Sequence, residues 1–197
     1  MKRFLQLAFL AAFLAPTAAL AHTGVGDTSG FMHGFMHPLG GLDHQLAMIL
    51  VGVFAYQLGG RALWLVPLTF VGIMALGGFL GIAGIPVPFI ELGIALSVIV
   101  LGAIVAFGVK VPVAAAMGIV GLLAIFHGHA HGSEMPMDAS GLEYGLGFML
   151  ATASLHAAGI GIGFMIGMTT KWLGNNVYRV AGGLASVAGV GILLGVI

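Results

Sequence analysis

Eight histidines stand in a chain with only six acidic residues, six basic residues and no cysteine. His37 and His44 flank Asp43 in the run HPLGGLDHQLAM. His127, His129 and His131 alternate in HGHAHGSE and are followed by Glu134. Imidazole and carboxylate without thiolate suit Ni(II), Co(II), Zn(II) or Cu(II). Disulfides, iron–sulfur clusters and thiolate zinc sites are excluded. Met32, Met36, Met48, Met135 and Met137 lie near these histidines and keep copper in the set, although most methionines in apolar helices simply fill space.

Each polar position has a second reading. A carboxylate inside a membrane costs about 2.5–3.5 kcal/mol unless it finds a partner, so Asp43 either serves a function or pairs with His44 to lock helix packing. His37 precedes Pro38, a residue suited to the first helical position, and is expected as an N-cap. His37 and His44 are then two turns apart on similar faces of one helix. The His127–Glu134 segment is either metal-gathering or a solvated terminus. Glu91 and Glu143 suit helix N-termini as well as ligation. His156, set among Ala, Ser and Gly, either hydrogen-bonds across helices or forms a second station deeper in the membrane. His22 and His33 add imidazoles upstream.

The elements that must position these residues follow from composition. The chain has 197 residues, 60% of them apolar and 6% charged, against roughly 45–50% and about 25% in soluble domains. A water-soluble surface cannot be built from so few charges. Net charge is zero, and no basic patch exists to neutralise phosphates, so nucleic acid is not an expected partner. The expectation is an all-α integral membrane protein.

Residues 1–21 have the form of a cleaved signal peptide: Lys2 and Arg3, an apolar core from Phe4 to Leu14, and the small-residue pattern Ala19-Leu20-Ala21. The apolar core is shorter than the roughly 20 residues a span needs. Cleavage would leave His22 as the N-terminus, offering its amine and ring to one metal, or merely as a loose chain end. Residues 22–36 are expected as an extracytoplasmic segment, and residues 37–197 as a compact bundle of six spans. These are expected near Pro38–Leu58, Ala62–Ala83, Pro88–Gly108, Val111–Gly128, Glu143–Met168 and Val177–Ile197. Breaks are marked by Gly59-Gly60, Gly84 with Pro86 and Pro88, Gly108 with Pro112, and Gly174-Asn175-Asn176.

Arg61, Lys110, Lys171 and Arg179 all fall on one side of this arrangement, which the positive-inside rule makes cytoplasmic. Asp27, Glu91, Glu134, Asp138 and Glu143 fall outside, as do most of the histidines, and both mature termini are expected there. The chain holds 34 glycines. Gly77/Gly81, Gly159/Gly163/Gly167 and Gly191/Gly195 have the spacing that lets helix backbones approach in lipid, within one chain or between copies in a homo-oligomer.

The run from His37 to Ala55, HPLGGLDHQLAMILVGVFA, resembles the signature of the HupE/UreJ family of nickel and cobalt permeases. The matching positions are His37, Pro38, Gly41, Asp43, His44, Met48, Val51, Gly52 and Ala55. His127-Gly128, Ala130-His131-Gly132 through Glu134, and His156 are also similar to that family's pattern. The resemblance covers the whole chain. It implies a secondary permease of the bacterial inner membrane supplying Ni(II) or Co(II) to metalloenzymes, with no permanently bound cofactor and no enzymatic activity.

Residue placement suggests a mechanism for such a permease. His22, His33, His129, His131 and Glu134 form an external collecting collar. His37, Asp43, His44 and His127, with Met48 nearby, form the membrane site, and His156 leads inward to backbone carbonyls at glycine-rich stretches. The chain has no GxxxxGK[ST] loop for ATP hydrolysis. None is needed energetically, since a dication gains about 4.6 kcal/mol per 100 mV on moving to the negative side, twice the single-charge figure. The rival readings are a membrane-embedded metal- or haem-binding enzyme, and a metal sensor, using the same histidines without transport.

Overall fold

The computed structural model describes residues 30–135 and 140–196. The expected signal peptide, His22, Asp27, Met137 and Asp138 lie outside the described residues. The chain is all-helical there: α1 (Gly30–Met36), a 3-10 turn (His37–Leu39), α2 (Leu42–Leu58), α3 (Ala62–Ile82), α4 (Ile90–Phe107), α5 (Val113–Ser133), α6 (Gly141–Gly167) and α7 (Lys171–Leu193). Helices α3 to α7 are each long and apolar enough to cross a membrane, and the stretch from α1 through α2 supplies a sixth if counted as one bent span. The chain is an all-α integral membrane protein.

Three boundaries differ from the sequence expectation, each for a local reason. The first span does not run unbroken from Pro38. Residues Gly30–Leu39 and Leu42–Leu58 meet at 81°, because Pro38 opens the 3-10 turn instead and Gly41 is extended (φ −103°, ψ 127°) as the residue capping α2. His37 therefore caps nothing in α2, and His44 sits in that helix's first turn. Helix α5 continues past Gly128 to Ser133. Its glycines are contact points and not stops: a side chain on Gly128 would strike the carbonyl of Met74, and one on Gly132 the carbonyl of Gly78. Helix α7 begins at Lys171, where Thr170 Oγ1 accepts the Leu173 N–H. Gly174-Asn175-Asn176 accordingly lies inside the helix.

Helix α2 is the centre of the bundle, packed against α3, α4 and α6, while α3 pairs with α5, α4 with α7 and α1 with α6. In lipid, helix association relies on close backbone approach more than on apolar burial, and four of these pairs meet at glycine. Gly52 and Gly159 bring α2 and α6 together, Gly77 and Gly81 seat α3 on α5, Gly102 and Gly182 join α4 to α7, and Gly34 and Gly147 lay α1 on α6. Gly163 and Gly167 pack on the Tyr56 ring. The Gly191/Gly195 pair does not form such a ridge, because α7 ends at Leu193 and Gly195 follows it in a left-handed conformation (φ 66°) with open space around it.

The alternation of helices gathers Arg61, Lys110 and Lys171 at one end and Glu91, Glu134 and Glu143 at the other. A cavity opens at each end. That at the acidic end has a volume of about 590 Å³ and is walled by His33, His37, Asp43, His44, Glu91, His131 and Glu134 among others. That at the basic end, about 490 Å³, is lined by Gln57, Lys110, Asn175, Tyr178 and Arg179 and the tip of α4.

Candidate metal centre

The site is assembled at the bend between α1 and α2. Because Gly41 carries no side chain, the Asp43 carboxylate folds back over the start of α2; a Cβ on Gly41 would lie 2.6 Å from Asp43 Oδ1 and 3.2 Å from His44 Nδ1. Asp43 Oδ1 accepts the backbone N–H of His44 at 2.8 Å and stands 2.9 Å from His44 Nδ1. A carboxylate suits the positive end of a helix, so Asp43 is partnered twice within its own turn. An ionised carboxylate can only accept, which makes His44 Nδ1 the protonated nitrogen and leaves the lone pair on Nε2. His44 Nε2 is buried and has no hydrogen-bond partner among the described residues. This is the carboxylate–imidazole arrangement that orients metal-binding histidines.

Helix α5 supplies the next two imidazoles. His127 and His131 are four residues apart and share a helix face; both point into the bundle and are buried, at 0% and 3% exposure. The His131 ring meets His37 at 4.6 Å and His44 at 4.2 Å between centroids, and the His44 ring meets His127 at 4.7 Å. Neither nitrogen of His131 finds a hydrogen-bond partner among the described residues. A buried polar group in that condition is costly.

Glu134 caps α5 and reaches His37, with Oε2 3.2 Å from Nε2. Donor atoms from His37, His131 and Glu134 all lie within 4.8 Å of one another, close enough to converge on one ion. His33 stands one turn before His37 on the α1 side, ring centroids 6.3 Å apart. The imidazoles thus form a file, from His33 through His37, His131 and His44 to His127.

Below His127 the file is interrupted by Phe70, fully buried on α3, whose ring centroid is 5.8 Å from that of His127 and 5.1 Å from that of His156. His156 does not hydrogen-bond across helices: both its nitrogens are buried without a partner among the described residues. Met48 is also fully buried, within the apolar core.

His129 is separated from this file. Two residues from both His127 and His131, it projects from the other side of α5, where its Nε2 donates to the carbonyl of Ile85 at 2.8 Å. The structure therefore takes His131 out of the company of His129 and places it, with Glu134, beside His37. Sequence reasoning also passed over three residues. Ser97 contacts His127 and was detectable as a lone hydroxyl in the apolar run of α4. Tyr144 stands beside His33 and His37. Phe70 gives no sequence signal, since an aromatic in a span is ordinarily packing.

The family model described as HupE / UreJ protein matches residues 10–192. The chain is 47% identical over 186 residues to Protein HupE of Rhizobium leguminosarum bv. viciae, covering 94% of this chain and 95% of that protein. No solved structure matches. With the match running through every helix and the imidazole file alike, the chain belongs to the HupE/UreJ family of multi-pass membrane proteins.

Proposed function

We propose that this chain is a secondary permease that imports Ni(II) or Co(II) across the bacterial inner membrane, with its acidic, histidine-rich end facing the periplasm. The observation that carries this reading is His131, buried between His37 and His44 with neither ring nitrogen hydrogen-bonded among the described residues. Metal passing along the file would engage such nitrogens, which nothing else described in the protein satisfies. Glu134 and Glu91 at the cavity mouth attract and partly neutralise a dication; His37, His131 and Glu134 receive it as water is shed. His44, oriented by Asp43, and His127 accept it next, and Phe70 separates that pair from His156. Such sites must bind firmly enough to select an ion and weakly enough to release it.

Reconstitution in liposomes containing a metal-responsive dye tests this. Inward Ni(II) or Co(II) flux driven by an inside-negative potential is expected; His44→Ala should abolish it and Asp43→Asn should reduce it. Influx undiminished by both substitutions would refute the site. The same assay with Zn(II) and Cu(II) determines selectivity.

A further inference from the structure

His127 is one of the largest fully buried side chains among the described residues, where a single side-chain hydrogen bond holds it. Its Nε2 lies 2.7 Å from Ser97 Oγ on α4. Ser97 is itself completely buried, and its Oγ is 2.6 Å from the carbonyl of Ile94, three residues back along the same helix. A carbonyl oxygen can only accept, so the one hydroxyl proton of Ser97 is committed to Ile94. What Ser97 offers His127 is therefore a lone pair, and Nε2 must carry the proton.

A neutral imidazole has one N–H and one lone pair. With the proton on Nε2, the lone pair of His127 resides on Nδ1, which is buried and has no partner among the described residues. The neighbouring His44 has the opposite arrangement: Asp43 takes its Nδ1–H, and Nε2 has no partner among the described residues.

We infer that Ser97 is a positioning residue that fixes His127 as its Nε2–H tautomer, so that His127 binds the transported metal through Nδ1. This rests on the metal-binding reading of the file. It assigns a role to a residue on a helix that contributes none of the imidazoles. Ser97 does for His127 what Asp43 does for His44, with a neutral acceptor in place of a charged one. An outward partner that locks ring and tautomer is what a binding histidine requires.

The experiment is nitrogen-15 NMR of the full chain in lipid nanodiscs with labelled histidine, the His127 signals being assigned by their loss in His127→Gln. Without metal, Nε2 of His127 should resonate as a protonated nitrogen and Nδ1 as an unprotonated one. Adding Zn(II), a diamagnetic probe, should move Nδ1 while Nε2 keeps its proton. Ser97→Ala should release the tautomer preference and weaken Zn(II) binding roughly 10- to 100-fold, the usual cost of losing such a partner. Ser97→Thr, which retains the hydroxyl, should preserve both.

A wild-type His127 protonated on Nδ1, or Zn(II) that displaces the Nε2 proton or moves neither nitrogen, would overturn the inference. So would Ser97→Ala with unchanged tautomer and affinity. Should Ser97→Ala not fold, the wild-type tautomer and its response to Zn(II) decide alone. No gradient enters these measurements. Absent liposome influx with the expected tautomer would count against the permease reading; normal influx with the opposite tautomer would count against Ser97.

Discussion

The imidazoles of His44 and His131, one from the first turn of α2 and the other from the last turns of α5, meet edge to face with centroids 4.2 Å apart. This contact ties the two histidine-bearing motifs into one site. Because His131 also touches His37, it is the only described imidazole in ring contact with both histidines of the α1–α2 bend. His131→Ala should abolish metal influx, whereas His129→Ala should leave it within about two-fold of wild type in the dye-loaded liposome assay. Equal losses from both substitutions would restore the view that the alternate histidines act as one cluster.

Glu134 is exposed at the cavity mouth, bonded to His37. On the proposed reading its carboxylate captures metal rather than passing it on. Glu134→Gln is expected to raise the half-saturating metal concentration several-fold while leaving the maximal influx rate nearly unchanged. A fall in maximal rate at unchanged half-saturation would place Glu134 on the transfer step instead.

Asp43 holds His44 by its Nδ1–H and the backbone by its N–H. Asp43→Asn retains an acceptor oxygen but loses the charge, and Asp43→Ala loses both. Metal binding, measured by calorimetry on the purified protein, should weaken roughly 10- to 100-fold in the alanine variant and by a smaller factor in the asparagine variant. Equal effects would show that charge alone matters.

Protons compete with metal for imidazole lone pairs, so binding releases protons and weakens as pH falls. At fixed, sub-saturating external metal, influx should decline as external pH is lowered from about 7.5 to about 5.5. Saturating metal should shift the decline to lower pH. Influx that rises on acidification would instead point to proton-driven uptake.

The Gly52–Gly159 contact holds α2 against α6 so closely that a side chain on Gly52 would overlap the His156 carbonyl. Gly52→Val should destabilise the protein by about 1–3 kcal/mol, the usual range for overpacking. A lowered Tm in detergent together with reduced influx is the expected result. An unchanged Tm would mean the two helices can separate without cost.

Much of the architecture was legible because membranes impose simple rules. Length and apolarity located the helices, turn residues separated most of them, and the cations Arg61, Lys110 and Lys171 marked one end of the bundle. His37, Asp43, His44 and Glu134 were legible as candidates because polar groups in such a composition are costly to place. What misled was glycine. Gly128 and Gly174 look like helix ends in one dimension, but α5 and α7 pass through them because packed glycines offer a smooth surface to a neighbouring helix.

The amino-acid sequence by itself determined that this is a multi-pass helical membrane protein with imidazoles and carboxylates concentrated toward one end. Only the tertiary structure decided which histidines stand together. The 81° bend at Gly40-Gly41 brings His37 and His44 around His131 from two directions, and the extension of α5 turns His129 away. The role of Ser97 depends on an α4–α5 contact and on where one hydroxyl proton is already spent. Spacing along a chain records what can share a helix face; which faces meet is settled by packing.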